Sequence, residues 1–450
     1  MSHSSTRSPG IDWDGNGPPE APVAPESLKE AGLSLGFIND MLLRTLYTRG
    51  GMIGRDLAQF LCLPFKVIRE ALKFLKDEKC IEVAGGDLVG EVSYRFGLTD
   101  LGRRRAQEAM QLCGYVGPAP VPLEDYVEQT YRQAVTGIGC SPETLSASFS
   151  HLVLRDELFN AIGPAIISGR SVFIYGPPGN GKTAMARAIG DFMNTSGGSI
   201  FIPYAFLAEN SIITVYDPSL HAIDDDPSHE RHDDTDATVR RLLTTGSMDQ
   251  RWVRIRRPVI VTGGELNLDM LDLRYNADAN YYQAPIHFKA NGGVFLIDDF
   301  GRQLVSPKEL LNRWILPLED RHDFLTVSSG KKFQVPFEQL IIFSTNLDPK
   351  DLVDDAFLRR IRHKVQVHAP TREVYEKIFV AVCRRLGMNH CPDAVEYLYD
   401  RYYEAGRTPR ASDCRDLLEI VQSICRYRRQ PVHLTRELIV ESASTFIAEF

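Results

Sequence analysis

Residues Gly176 to Thr183 read Gly-Pro-Pro-Gly-Asn-Gly-Lys-Thr and follow the apolar run Val172, Phe173, Ile174, Tyr175. A G-x-x-x-x-G-K-[ST] loop between a strand and a helix wraps backbone N–H groups round phosphate oxygens, and glycine permits that close approach. Gly176, Pro177, Pro178, Gly179, Asn180, Gly181, Lys182 and Thr183 are therefore the candidate nucleotide-binding residues. Lys182 would reach the β- and γ-phosphates, and the Thr183 hydroxyl would hold Mg²⁺. Ala184 to Arg187 open a helix whose positive N-terminal end adds to the anion site. The pattern predicts a nucleoside triphosphate site.

Phosphate chemistry needs a second half: a carboxylate for the metal and a group to orient the attacking water. Val294 to Ile297 reads as a buried parallel strand ending in Asp298 and Asp299. Asp298 would bind the metal through water, leaving Asp299 beside the γ-phosphate. Leu340 to Phe343 is another buried strand, and it delivers Asn346 to the carboxyl edge where ligands bind. An amide there can orient water.

The elements that hold these groups span a chain of 450 residues with net charge −8, which exerts no general pull toward nucleic acid. No apolar run is long enough for a transmembrane helix, and Met1 to Pro25 has no apolar core of the signal-peptide kind. Residues 1–27 read as a disordered arm. Eight scattered cysteines with no C-x-x-C pair fit buried thiols in a reducing cytoplasm. Residues 28–113 read as three short helices, a hairpin (Cys80 to Val83 and Val92 to Leu98) and a closing helix, a pattern resembling a winged helix-turn-helix domain. Lys66, Arg69, Lys73 and Lys76 on its third helix could meet DNA, but the wing tip carries Asp87 and Glu91 and no cation. Leu28 to Met110 holds 13 basic and 11 acidic residues, a balance that favours protein docking or assembly over DNA.

Residues 114–148, rich in proline and glycine at their start, read as a linker. Between Lys182 and Asp298 the chain is far longer than one helix and strand require, so an insertion is placed at about 208–285. His221 to Asp236 holds six aspartates with His221, His229 and His232: a solvated acidic loop, with a metal cluster as the alternative. Arg251 to Arg257 interleaves arginines with Trp252, Val253 and Ile255 as an exposed strand would, either pairing with the acidic loop or lining a channel. Ser199 to Phe206 reads as one strand, Pro307 to Leu318 as one helix, and everything after Thr371 as four helices.

With both phosphate motifs, Asn346 on a later strand and a helical end in that order, residues 150–450 resemble an AAA+ ATPase. The resemblance implies an α/β P-loop core, a parallel sheet flanked by helices over 149–369, with a helical lid over 370–450. It implies ATP and Mg²⁺ as cofactors, and Asp299, Asn346, Arg360 and Arg410 as catalytic groups. Asn346 fits the position called sensor 1. Asp354-Asp355-Ala356-Phe357-Leu358-Arg359-Arg360 matches the stretch that carries an arginine finger for the neighbouring subunit, with Arg360 favoured over Arg359. Gly406 to Arg410 resembles the sensor 2 start of a lid helix, so Arg410 would contact phosphates. Lys289 to Gly293 and the hairpin region from Leu316 to Phe337 are similar to the MoxR-like branch, whose members form chaperone-like rings. A homo-oligomeric ring, a hexamer by family expectation, acting on a protein partner in the cytoplasm follows as the first reading. A DNA-associated ATPase and a slow ATP-gated switch follow as alternatives. Two departures bear on these: Asp299 stands where the family has glutamate, and the winged helix is not the branch's usual accessory.

Overall fold

Four short apolar runs assemble side by side because each is flanked by chain able to cover both of its faces, and a mixed edge run, His-Lys-Val-Gln, joins them. In the computed structural model they are β1 (Val172–Tyr175), β2 (Val259–Thr262), β3 (Val294–Ile297), β4 (Leu340–Thr345) and β5 (His363–Gln366). All neighbours are parallel, in the order β2-β3-β4-β1-β5. Strand alternation splits the core into two layers. Val172 and Ile174 pack with Met185, Ile189 and Phe192 of helix Lys182–Gly197, whereas Phe173 faces Phe300, Trp314 and Phe343. The structure describes residues 19–83, 85, 90–224, 248–352 and 358–447. Residues 1–18 of the expected arm, Asp87 of the wing, His229 and His232, and Asp354, Asp355, Ala356 and Phe357 of the finger motif lie outside them.

The C-terminal region is helical: Arg372–Arg385, Pro392–Leu398 continued by a π turn, Ala411–Tyr427 and Arg436–Phe446 enclose their own core of Tyr375, Leu417, Val421 and Ile439. At the other end, helices Leu35–Arg49, Gly54–Leu61 and Phe65–Asp77 precede strands Ile81–Val83 and Arg95–Leu98 and helix Asp100–Leu112. A two-residue strand, Met52–Ile53, completes a three-stranded antiparallel sheet that the sequence pattern does not signal.

Between these ends the chain departs from expectation. Residues 114–148 do not run as a free linker. Ala119 and Val121 are fully buried, Ala119 N–H donates to Leu61 O, and Val121–Pro122 forms an edge strand beside Ala205–Ala208. That strand belongs to a second five-stranded sheet, built otherwise from Ala205–Ala208, Ser211–Thr214, Arg274–Asn276 and Tyr281–Gln283. Ala205 and Ile212 of this sheet join the core of the N-terminal helices. Ser199 to Phe206 is not one strand: Ile200–Pro203 pairs with Trp252–Ile255, and after Tyr204 the chain turns into the second sheet. Likewise Pro307 to Leu318 breaks at Trp314 into two short helices.

The arginines of 251–257 are not an exposed face. Arg251 is 2% exposed and ion-paired to Asp249 at 2.8 Å, and its Nη1 donates to Ala31 O and Pro120 O, tying the N-terminal helices to the second sheet. Arg257 is buried with no carboxylate among its hydrogen-bond partners: its guanidinium donates to Gln133 O, Gly197 O and Gly292 O. Burial pushes its pKa down to about 10, and the end of helix Lys182–Gly197 is a favourable place for its charge. Of the four arginines only Arg256 is exposed, while Arg254 is half-buried and paired to Asp224 at 3.2 Å. His221 is buried as well, not solvated. Its Nδ1 accepts from Asp217 N–H and its Nε2 donates to Lys289 O, so both nitrogens are spent on backbone and neither is left for a metal.

Candidate functional site

The carboxyl ends of β1, β3 and β4 meet at one edge of the sheet. Register aligns Thr345 with Tyr175 and Ile297 with Phe343, so Gly176, Asp298 and Asn346 leave adjacent strand ends. Gly176 must be glycine: its φ is 140°, and a Cβ would stand 2.0 Å from Val367 O. Gly179 and Gly181 each turn the loop with φ of 80°, and helix Lys182–Gly197 starts immediately after. Pro177 and Pro178 are the exposed crest of the loop.

Lys182 folds back under this loop. Its Nζ donates to Gly176 O at 2.9 Å, to Pro177 O at 3.0 Å and to Asn346 Oδ1 at 2.7 Å. Burial lowers the ammonium's pKa from its usual value, with Asp298 and Asp299 pulling the other way. The Thr183 hydroxyl donates to Asp298 Oδ2 at 2.6 Å. Two hard oxygens at contact suit a magnesium ion, which binds few protein carboxylates and fills its shell with phosphate and water. Among the described residues no group of three or more acidic, histidine or cysteine side chains is placed to hold a metal.

Asn346 links the two halves, because its Nδ2 also donates to Asp299 Oδ1 at 3.0 Å. Asp299 is exposed and sits in the left-handed region at φ 49°. Arg410 comes from the C-terminal helices. It is the residue before helix Ala411–Tyr427, and its Cβ and Cδ lie 3.4 Å from where a Gly179 Cβ would be. The same helix start grips the loop through Ser412 N–H to Gly179 O at 2.8 Å and Ala411 N–H to Asn180 Oδ1 at 3.1 Å. Asn180 is thus a bridge to the helical region as well as a loop residue.

Arg360 is not brought to this edge. It lies three residues before β5, and His363 opens that strand opposite Val172, the first residue of β1. The phosphate loop begins at the other end of β1, about 10 Å further along the strand. There Arg360 pairs with Glu319 at 2.5 Å, while Arg359 is exposed. Sequence reasoning missed Gln303, whose amide braces the turn after Asp298, and Ser412. Neither belongs to a spacing rule, and only the closed turn and the docked helix place them at the site.

A domain of unknown function, DUF8689, matches residues 371–445, which is the C-terminal helical region. No curated protein matches the chain. Solved structures with a distantly similar course include NtrX from Brucella abortus in complex with ADP, at 16% identity and TM-score 0.38 over 65% of this chain and 56% of that one. They also include the RuvB Holliday junction branch migration motor of Thermotoga maritima, at 15% identity and TM-score 0.33 over 68% of this chain and 70% of that one. Domain III of the replication initiation protein DnaA from Thermotoga maritima is similar at 15% identity and TM-score 0.36, over 69% of this chain and 100% of that one. The chain thus spans little more than half the length of NtrX. What it has in its own right is an α/β architecture with a five-stranded parallel sheet and a C-terminal helical region.

Proposed function

We propose that this chain binds ATP with Mg²⁺ and hydrolyses it as an AAA+ ATPase, in an assembly where one copy completes the site of the next. The observation that carries this is the convergence at Asn346: one amide touches both the lysine expected to hold the γ-phosphate and the carboxylate expected to polarise water. Lys182 would turn from the carbonyls of Gly176 and Pro177 to the phosphates, and Thr183 and Asp298 would hold the ion. When bound, magnesium neutralises charge on the phosphate oxygens. Asp299 then orients and accepts a proton from the attacking water, with Asn346 holding that carboxylate, and Arg410 reaches the phosphates from the helical side. Arg360, at the opposite end of β1 from its own loop, acts on a neighbouring copy to neutralise the transferred phosphoryl.

The partner is read as a protein brought by the N-terminal helices. Supporting this over DNA, two of the four cations on helix Phe65–Asp77 are already paired, Arg69 with Glu91 at 2.6 Å and Lys66 with Glu26 at 3.4 Å. No helix among the described residues is long and apolar enough to cross a membrane. The test is ATP turnover and ATP binding measured separately for wild type, Lys182→Ala and Asp299→Asn. The reading expects binding lost in the first variant, and turnover lost with binding kept in the second. Tight ATP binding without turnover in wild type would favour the switch.

A further inference from the structure

Asp299 leaves β3 in a backbone conformation that few side chains adopt, at φ 49°, and the amide of Gln303 is one of the groups that hold that turn. Gln303 turns back over the segment between them. Its Nε2 donates to Asp298 O at 2.8 Å and Asp299 O at 3.2 Å, and its Oε1 accepts from Gly301 N–H at 2.8 Å. Backbone bonds hold the turn too, Arg302 N–H donating to Asp299 O, Phe300 N–H to Ser344 O on β4 and Leu304 N–H to Gly264 O, and two side chains from the site's own strands join them: Asp298 Oδ1 accepts from Asp299 N–H at 3.0 Å and Thr345 Oγ1 donates to Phe300 O at 2.8 Å. Gly301, at φ 104°, has no room for a side chain, since a Cβ would lie 2.7 Å from Leu352. Of the six residues from Asp298 to Gln303, therefore, only Gln303 uses a side chain to hold the others in place without belonging to the core or the site.

An aspartate is one methylene shorter than a glutamate, so the reach of its carboxylate depends on where the backbone puts its Cα. We infer that Gln303 is a positioning residue for Asp299: by clamping the carbonyls of Asp298 and Asp299 it sets the angle at which the shorter carboxylate meets Asn346 and the γ-phosphate side of the site. Gln303 itself touches neither the site's phosphate loop nor the place for the ion. Its effect is on the chemical step and not on nucleotide binding. The inference rests on the hydrolytic reading above.

The test compares wild type, Gln303→Ala, Gln303→Glu, Asp299→Asn and the Asp299→Asn/Gln303→Ala double variant. Turnover is followed at saturating ATP, and Mg-ADP affinity and thermal midpoint are measured without turnover. Displacement of a catalytic group by about 1 Å costs on the order of a hundredfold in rate. Gln303→Ala should accordingly lose roughly 10- to 100-fold in kcat while its Mg-ADP affinity and midpoint stay near wild type. Gln303→Glu keeps the acceptor for Gly301 but turns a carboxylate on two carbonyls, and should be no better. Because Gln303 acts through Asp299, the double variant should be no slower than Asp299→Asn alone. An active wild type whose Gln303→Ala variant keeps full rate, loses Mg-ADP binding in parallel, or multiplies the Asp299→Asn defect overturns the inference alone. A wild type that binds nucleotide but never turns over overturns the hydrolytic reading and this inference with it.

Discussion

The ammonium of Lys182 lies 2.7 Å from the side-chain oxygen of Asn346, and with the carbonyls of Gly176 and Pro177 this surrounds the lysine with neutral acceptors. Its pKa is therefore lowered, by burial first, against the pull of Asp298 and Asp299. In the proposed ATP complex anionic oxygens would replace those acceptors and raise the pKa again. Binding must take up a proton at alkaline pH: affinity is flat below the lysine's pKa in the free protein, then falls by up to about tenfold per pH unit until the pKa of the complex is passed. Calorimetry in buffers of different ionisation enthalpy reads that uptake directly. The residual binding of Lys182→Met should lack it.

Asn346→Ala should separate binding from chemistry. Removing one oriented polar group that supports charge development typically costs about 10²–10³ in rate. We expect turnover to fall in that range while nucleotide affinity changes by only a few-fold, measured by single-turnover kinetics beside equilibrium binding.

Docking of helix Ala411–Tyr427 depends on Gly179. A methyl there would meet Ser412 Oγ at 2.6 Å, at a backbone φ of 80°. Gly179→Ala should cost about 1–2 kcal/mol in backbone strain and loosen the helical region from the loop. Faster hydrogen exchange at the amides of Ala411 and Ser412, with weaker ATP binding, is the expected result.

Arg257 joins residue 133, the end of helix Lys182–Gly197 and the entry to β3 through carbonyls alone. Arg257→Met leaves those acceptors buried without a donor and should destabilise the protein by about 3 kcal/mol. Arg257→Lys should fall between the two in urea denaturation.

Asp217 offers a pH test of the middle region. Burial would raise its pKa, but hydrogen bonds from Lys289 and Ser219 win and bring it to about 2 from 3.8. A depressed carboxylate stabilises fully above its unfolded value and loses that contribution as pH falls through the folded one. Water still reaches the carboxylate and screens the pair, so Asp217→Asn should be less stable than wild type by only about 1 kcal/mol near pH 7. The gap should hold down to about pH 5 and narrow below it, seen as converging thermal midpoints.

Much of this was legible in the sequence because it is local. The glycines and Lys182 sit within one short loop, Asp298 and Asp299 end an unbroken apolar run, and the C-terminal helices carry plain periodicity. What escaped depends on pairing across long separations. Val121–Pro122 becomes a strand only because Ala205–Ala208 lies beside it. Arg251 and Arg257 look like surface charge until an aspartate and backbone carbonyls from distant segments enclose them. Gln303 is a polar residue after a strand until the turn closes on it.

The most direct measurement is steady-state ATPase rate against protein concentration, with Lys182→Ala and Arg360→Ala assayed alone and mixed. Arg360 sits at the far end of β1 from its own loop, so the account predicts a rate that climbs with concentration, two inactive variants, and activity regained on mixing, where an Arg360 donor meets an intact Lys182. A wild type no faster than Lys182→Ala at every concentration, or a mixture that stays silent while wild type is active, would contradict it.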